Sequence, residues 1–453
     1  MEAITLFAQI DQSAVSPNGK RESDEWVFDA FVATEMVQGG LVPSEDMAEE
    51  AIDVHYPVIL IAVDGKALRS RFGLRLLISG TAWYQITLGK QRGIPARVIG
   101  VPGDERVEVS IAEIRRVDRS QARKLDALVD MPHGEEADLT ILSSLFGEIG
   151  RLDQAPDVVV VDVGQGSLAA VCKRGGSDQP LLFVDLGWPT NFNRAGQPNY
   201  RPDVTGLRTP VLLTHWDWDH WGLALNSIKW AGSPKRCVIK WNVAALERPW
   251  VVPGVGKHWG GVKLSPMHWR FALALARKGK LYRWPLSQVM ISNNWFMVTR
   301  VSGGKPGNRN NHGLVVVVVD KINSSGECRA ILLPGDADYS HLPFSKPGWK
   351  PVYSFSGLAA SHHGGKVVVG KIPAAASPAW LAISVGIGNR YKHPAKQAQR
   401  GYIEKGWTWQ APTSHRSREM AQECAHGNIL LTTASIRIQW PAGGPFCFWR
   451  PVQ

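Results

Sequence analysis

The sequence predicts an α/β protein in two parts, a smaller mixed α/β domain at residues 1–150 followed by an α/β sandwich at 151–453. Its 453 residues are too many for one ordinary domain and suit two or three. The net charge is −9 over residues 1–150 and +20 over 151–453, which makes one uniform fold improbable. In the second part, short β-branched runs each end in a polar or glycine-containing turn, the pattern of buried strands with a site along one edge.

Composition and charge exclude several classes of protein. Hydrophobic residues make up 44% and charged residues 20%, a globular rather than a disordered composition. We find no apolar segment of the roughly 18–20 residues that a membrane helix needs, and no basic start with an apolar run that would indicate a secretory signal. The five cysteines form no CxxC pair and are expected to be reduced. We therefore expect a cytoplasmic protein that does not bind membranes.

The first part shows the following elements and no chemical cluster. An apolar strand at 56–63 ends in the turn signal Asp64-Gly65. Further β-rich pieces are expected within 74–88 and 97–109, and helices at 117–129 and 139–149. Because no His/Asp/Glu cluster or phosphate-binding loop occurs here, we expect an acidic regulatory or partner-binding domain.

The second part predicts a series of buried strands. Apolar runs of strand length lie at 158–163, 168–172, 181–184, 211–213, 314–319, 330–333 and 380–385. A basic, tryptophan-rich insertion is expected at 232–286, and a closing pair of strands at 428–440. Functional side chains are expected in the turns that follow the strands.

The most informative segment is THWDWDHWG at 214–222, directly after the run at 211–213. It contains four residues able to bind a metal: His215, Asp217, Asp219 and His220. Alternate residues of an extended segment project to the same side, so these side chains can converge. A divalent cation binds imidazole and carboxylate as deprotonated bases and so relieves the repulsion of such a cluster. The alternative is a solvated turn whose indoles pack on the core. An exposed turn, however, gives no reason for tryptophan at each of positions 216, 218 and 221.

Together with other segments, this motif resembles the metallo-β-lactamase fold, and within it the nuclease-like domain of ComEC-type competence proteins. HxDxDH at 215–220 resembles the HxHxDH signature of the fold, with Asp217 in place of the second histidine. The other matching segments, in order, are DVGQG at 162–166, FVDLG at 183–187, NNHGLV at 310–315, LLPGD at 332–336, SHHGG at 361–365, and SVG with NRYKHP at 384–394. The resemblance covers about residues 157–440 and implies an αββα sandwich with a two-metal hydrolase site.

The resemblance also implies the metal ligands. It places His215 and Asp217 at one metal site, Asp219 and His220 at the other, and Asp336 between them. His363 or its neighbour His362 would complete the second site, and His312 lies near the place of the missing third ligand of the first. Because Asp217 replaces a nitrogen donor with a carboxylate, Mn²⁺, Fe²⁺ and Mg²⁺ compete better with Zn²⁺. We expect two divalent metal ions, zinc or manganese, with iron and magnesium as further candidates.

Residues outside the ligand set receive roles from the same segments. Asp219 and His393 are the predicted catalytic residues, and His393 is expected to contact a phosphate or act as an acid. Asp162 and Asp185 are expected to orient ligands or hold loops. Substrate contacts are expected from Asn311, Asn389, Lys366 and Arg390.

The basic charge of the second part favours nucleic acid as the substrate. Basic charge concentrates a polyanion in a salt-dependent manner, and indoles stack on unpaired bases. We predict a bacterial metal-dependent phosphodiesterase that cleaves DNA rather than RNA, and single strands rather than duplex. The alternatives are a hydrolase of a small phosphodiester and a non-catalytic, metal-stabilised nucleic-acid-binding module. The acidic first part is expected to bind a protein partner or to mask the basic part.

Overall fold

The structure is a computed structural model. It describes residues 3–10, 25–73, 82–89, 93–100, 107–132, 134–174, 179–189, 196–198, 201–202, 204, 208–230, 237–301, 303–322, 327–345, 352–389, 391–414 and 427–433. The chain forms two compact units. The first contains Met1–His133, Ala224–Asn242 and Lys263–Gly279, and the second contains Gly134–Leu223, Val243–Val262 and Lys280–Gln453. The segment 232–286, predicted as one insertion, is therefore shared between the units.

The described residues form strands and helices in the following order. The strands are β1 (Ile4–Ile10), β2 (Glu25–Val32), β3 (Val58–Asp64), β4 (Tyr84–Gly89), β5 (Ile94–Ile99), β6 (Val107–Arg116), β7 (Glu135–Glu136), β8 (Asp157–Val160), β9 (Ala169–Cys172), β10 (Leu182–Val184), β11 (Val211–Leu212), β12 (Leu225–Trp230), β13 (Cys237–Trp241), β14 (Trp250–Val252), β15 (Leu281–Arg283), β16 (Met290–Ser292), β17 (Phe296–Arg300), β18 (Leu314–Ile322), β19 (Glu327–Leu333), β20 (Val352–Ala359), β21 (Ala375–Ile383), β22 (Trp409–Pro412) and β23 (Ile429–Leu431). The helices are α1 (Glu35–Gly39), α2 (Glu49–His55), α3 (Gly65–Phe72), α4 (Arg119–Leu128), α5 (Leu139–Gly150), α6 (Val243–Leu246), α7 (Pro266–Arg277) and α8 (Lys396–Glu404).

The first unit is built on a closed barrel of six antiparallel strands in the order β1-β2-β3-β5-β6-β4. In β4, the buried side chains of Tyr84, Ile86 and Leu88 alternate with more exposed ones, as in a strand with one face on a core. The predicted mixture of strands and helices is present, and α4 confirms the helix expected at 117–129. Closure into a barrel was not predicted, because β1 and β2 were not recognised as strands.

Helix α7 packs within the first unit and belongs to the basic, tryptophan-rich segment 232–286. Trp269 packs edge-on against Phe31, with ring centroids 5.4 Å apart. Arg270 is fully buried, and its guanidinium lies 3.0 Å from the carboxylate of Asp53. These two α7 residues thus serve packing and charge pairing rather than an exposed binding face.

The second unit contains two sheets packed around a shared core. The eight-stranded sheet has the order β23-β8-β9-β10-β11-β14-β15-β7, and the seven-stranded sheet runs from β16 to β22 in sequence order. Val171 and Leu212 of the first sheet share the core with Val316 and Ile331 of the second. These sheets confirm the strands predicted from the apolar runs. Of the predicted pair at 428–440, β23 is present, and residues 434–440 lie outside the described residues.

Helices complete the second unit on two sides. Helix α5, expected at 139–149 in the first domain, belongs to this unit, and its residues Leu142, Phe146 and Ile149 enter the shared core. On the other face of the seven-stranded sheet, Ala398 and Tyr402 of α8 join a second apolar cluster. Within the described ranges, no helix combines the length and apolar character needed to cross a membrane.

Parallel strands bring the predicted site loops together. Strands β10, β11, β14 and β15 run parallel in one sheet, and β19 to β22 run parallel in the other. Loops that follow parallel strands leave a sheet at the same edge. The edges of the two sheets meet where the amide of Leu314 donates to the carbonyl of Thr214 at 2.8 Å.

Candidate metal centre

The loop after β11 is anchored in the core by its tryptophans. Trp216 donates from its indole nitrogen to the carbonyl of Pro253 at 2.9 Å, and Trp221 donates to the carbonyl of Trp216 at 3.2 Å. A short 3-10 turn spans Trp218–His220. With the indoles buried, the rings of the two histidines of this loop lie with their centroids 4.0 Å apart. The alternation of tryptophan with potential ligands therefore has a structural cause.

Asp185 orients the second of these histidines. It follows β10, is fully buried and has a φ of +64°, a left-handed conformation that aspartate tolerates better than most residues. Its Oδ1 accepts the amide of Thr214 at 2.7 Å, and its Oδ2 accepts the Thr214 hydroxyl at 2.9 Å. The same Oδ2 lies 2.7 Å from Nδ1 of His220. This contact holds a proton on Nδ1 and leaves Nε2 to face the site.

Asp336 lies at the centre of the site. Its Oδ1 is 3.2 Å from Nε2 of His220 and 3.7 Å from Nε2 of His363. Its Oδ2 is 3.9 Å from Nε2 of His215 and 3.1 Å from Nδ1 of His362. The two oxygens of this carboxylate therefore face different pairs of histidines.

Two groups of described residues are arranged as metal ligands. Their ligand atoms lie within 4.8 Å of one another in the groups His215, His220, Asp336 and Asp219, His220, His363. The Nε2 atoms of all three histidines are buried without a hydrogen bond of ordinary geometry. Buried polar atoms nearly always have a partner, and imidazole and carboxylate are ligands of zinc, manganese and iron. The side chains present therefore fit a metal centre.

The charges of this site stabilise one another in the metal-free chain. Burial alone would lower the pKa of His220, but the carboxylates of Asp185 and Asp336 outweigh it and hold that pKa well above its usual value. Burial would likewise lower the pKa of His363, and Asp336 and Asp219 raise it instead. Burial would raise the pKa of Asp336, yet the surrounding histidines hold it well below its usual value. Protons on imidazole thus occupy the place that cations would take, and metal binding would release them.

Asp217 is paired with a buried arginine. Its Oδ2 lies 3.4 Å from Nε2 of His215, and its Oδ1 lies 3.5 Å from Nη1 of Arg309. Burial would raise the pKa of Asp217, but the charges of His215 and Arg309 lower it. Asp217 therefore lies beside the predicted ligand His215, although it belongs to neither of the two groups above.

The two adjacent histidines 362 and 363 differ in their environments. Both have a positive φ, +51° and +53°, so the backbone turns sharply between them. Nδ1 of His363 lies 3.0 Å from the carbonyl of Ser384, which directs its Nε2 towards Asp219 at 3.4 Å. His362 instead places its Nδ1 against Asp336 and 2.8 Å from Nδ2 of Asn310. Of this pair, only His363 belongs to a ligand group.

His312 and His393 lie outside both ligand groups. The ring of His312 lies against Gly260, where an added Cβ would be 2.2 Å from it, and its role as third ligand stays a prediction. His393 stacks on Tyr391, with ring centroids 5.5 Å apart. Burial and the nearby charge of His362 lower the pKa of His393 to about 3. The expected role of His393, contact with a phosphate or action as an acid, stays a prediction.

The predicted substrate-binding asparagines hold loops. Asn311 accepts the amide of Asp338 at 2.9 Å. Asn389 donates to the carbonyl of His393 at 2.7 Å and accepts its amide at 2.9 Å. Lys366 is exposed on the loop that follows His363. Arg390 lies outside the described residues.

Asp162 holds a loop through backbone amides. It is fully buried, its Oδ1 accepts the amide of Gly164 at 3.1 Å, and its Oδ2 accepts the amide of Gly427 at 3.2 Å.

Sequence reasoning missed Thr214, Ser384 and Arg309, which touch the predicted ligands directly. For two of them, the sequence signal was position: Thr214 precedes the first histidine of the motif, and Arg309 precedes the Asn-Asn pair.

Comparisons with known proteins leave the family open. No family model matches the chain, and no curated protein matches it. Among solved structures, a point mutant of the CmlA β-hydroxylase is 13% identical to this chain. The match covers 83% of this chain and 73% of the CmlA mutant, with a TM-score of 0.30. CmlA, a diiron β-hydroxylase from Streptomyces venezuelae, is 12% identical to this chain. The match covers 68% of this chain and 54% of CmlA, with a TM-score of 0.23. By its own residues, the chain is a mixed α/β protein of several sheets with a candidate His/Asp metal centre.

Proposed function

We propose that the chain is a two-metal phosphodiesterase of the metallo-β-lactamase fold, of the ComEC type, and that it cleaves single-stranded DNA. The convergence of Asp219, His220, Asp336 and His363 at the edge of a two-sheet sandwich supports this proposal most strongly. These residues come from three loops that are far apart in sequence, yet their ligand atoms lie together, with Asp219 half-buried and the other three buried. The Nε2 atoms of His215, His220 and His363 are buried without ordinary hydrogen bonds, and their nearest polar neighbours are carboxylates, as expected of metal ligands.

The charge next to the site favours a polyanionic substrate. Between residues 361 and 400 the chain has six basic residues and no acidic residue. In the described part of this stretch, the exposed cations are Lys366, Lys371, Lys392, Lys396 and Arg400. The stretch begins at the histidine pair of the metal centre, so its positive charge would concentrate a nucleic acid beside the ligands.

The chain's own residues would prepare the site for hydrolysis. Asp185 and the carbonyl of Ser384 each bind Nδ1 of a ligand histidine and leave Nε2 available. When bound, two divalent cations would supply the positive charge that activates water and stabilises charge on a phosphodiester. His393, neutral at pH 7, can donate or accept a hydrogen bond to the substrate without changing its charge.

Cleavage of a labelled single-stranded oligonucleotide by metal-loaded protein tests the proposal. We expect activity with Mn²⁺ or Zn²⁺, and a loss of at least ~1000-fold in Asp336→Asn, because this carboxylate contacts histidines of both groups. The matched control is Asp320→Asn in β18, whose carboxylate accepts the Thr433 hydroxyl at 2.8 Å and contacts none of the ligands. Equal activity in Asp336→Asn and the control would refute the assignment.

The same assay separates the alternative functions. A polymer substrate should lose binding steeply as salt rises, whereas bis-p-nitrophenyl phosphate should be insensitive to it. Turnover of the small ester alone would identify a small-phosphodiester hydrolase. DNA binding without turnover under any metal would identify a binding module.

We also propose that the acidic first part binds a protein partner or masks the basic part. A truncation at residue 150 cannot test this, because it removes α5 from the core of the second unit. Replacement of exposed acidic residues in the first unit by their amides is the suitable test. Unchanged affinity for DNA at low salt would exclude masking.

A further inference from the structure

The two oxygens of Asp336 face two sets of side chains, and each set would border one metal position. We call the first position the one bordered by Oδ1, with Nε2 of His220, Nε2 of His363 and the carboxylate of Asp219, which lies 3.4 Å from His363. The second position is bordered by Oδ2, with His215 and Asp217, whose Nε2 and Oδ2 lie 3.4 Å apart. Nδ1 of His362 also lies beside Oδ2, at 3.1 Å, and His220 belongs to both ligand groups, so the number of donors does not separate the two positions.

Among the ion pairs of the described residues, a guanidinium borders the second position and none borders the first. Nη1 of Arg309 lies 3.5 Å from Oδ1 of Asp217, and both side chains are buried. The ion pairs of His363 are with Asp219 and Asp336, which are anions. A histidine can give up its proton when a metal ion arrives, but a guanidinium stays charged at any physiological pH. Arg309 therefore repels a cation at the second position permanently, in surroundings with little water to screen it.

We propose that Arg309 sets the order of metal binding: the first position fills with high affinity, and the second binds at least tenfold more weakly. A tenfold difference is a modest effect for a unit charge that acts on a divalent ion across a few ångströms of protein at an effective dielectric of about 20. The inference rests on the metal-binding part of the proposed function and is independent of the substrate.

Titration of Mn²⁺ into the chelator-stripped full chain, followed by calorimetry and by electron paramagnetic resonance of free Mn²⁺, tests this directly. The wild type should show two binding steps at least tenfold apart. Arg309→Gln should tighten the second step at least tenfold and change the first less than threefold, while Arg309→Lys keeps the gap. The matched control is Arg329→Gln, whose guanidinium donates to the carbonyls of Thr433 and Pro378 rather than to a ligand.

A second pair of variants keeps the test decisive if Arg309→Gln does not fold. Asp217→Asn should weaken the second step and leave the first within threefold, whereas Asp219→Asn should weaken the first. Two equal steps in the wild type, an unchanged second step in Arg309→Gln, or a weakened first step in Asp217→Asn would each overturn the inference. Because no DNA is present, failure of the nuclease assay leaves these titrations fully interpretable.

Discussion

Replacement of Asp185 by asparagine should disable one ligand without touching the metal position itself. The amide oxygen would accept the amide of Thr214, as Oδ1 does now at 2.7 Å. The NH₂ group would then lie where Oδ2 contacts Nδ1 of His220 at 2.7 Å. Because this group donates, Nδ1 must accept, and the ring proton moves to Nε2. A protonated Nε2 cannot bind a metal.

The magnitude follows from the role of the Asp185 carboxylate as the partner of a ligand histidine. Loss of a carboxylate that orients a ligand histidine costs about 10–100-fold in metal affinity, or about 1.4–2.7 kcal/mol. At a Mn²⁺ concentration of about 100 times the wild-type Kd, the metal stabilises the wild type by about 2.7 kcal/mol and the variant by only about 0.4–1.4 kcal/mol. The backbone at Asp185 should remain, because asparagine also tolerates its φ of +64°.

Calorimetric Mn²⁺ titration and urea unfolding with and without Mn²⁺ measure both quantities. The control Asp320→Asn removes a carboxylate that accepts a threonine hydroxyl and pairs with Arg174 at 3.6 Å, but contacts no ligand. It should leave Mn²⁺ affinity within twofold of the wild type. If Asp185→Asn binds Mn²⁺ as tightly as this control, the argument from the tautomer of His220 is refuted.

Two further predictions concern the metal-free chain and the packing around the ligands. The pKa values of His220 and His363 are raised by folding, so each stabilises the metal-free chain fully below the unfolded pKa of about 6.5 and less as pH rises through the folded value. Urea unfolding in chelator should therefore show a fall in stability as the pH rises above the unfolded pKa of about 6.5; a rise in stability would contradict this. In Gly187→Ala, the added Cβ would lie 2.0 Å from the carbonyl of Asp219, so we expect a loss of about 1–3 kcal/mol and weaker Mn²⁺ binding. Gly370→Ala, with no atom within 4 Å of its Cβ, should stay within about 0.5 kcal/mol, and equal stability of the two variants would refute the packing argument.

The sequence alone determined the strands of the sandwich and the region of the site. Apolar runs such as 211–213 and 330–333 correspond to β11 and β19 as predicted, because neighbouring residues encode a short buried strand and its turn. The residue types also identified potential ligands, since imidazole and carboxylate in dense spacing have few purely structural uses. His215, His220, Asp336 and His363 accordingly lie in the ligand groups.

Only the tertiary structure decided which neighbours those residues have. It distinguishes His363 from His362, which are adjacent in sequence but face different partners, and it places Arg309 on Asp217. It also closes the barrel and buries Arg270, which belongs to the basic segment 232–286. These features depend on contacts between residues distant in the chain, and local patterns of charge and hydrophobicity do not encode which distant side chain will lie opposite.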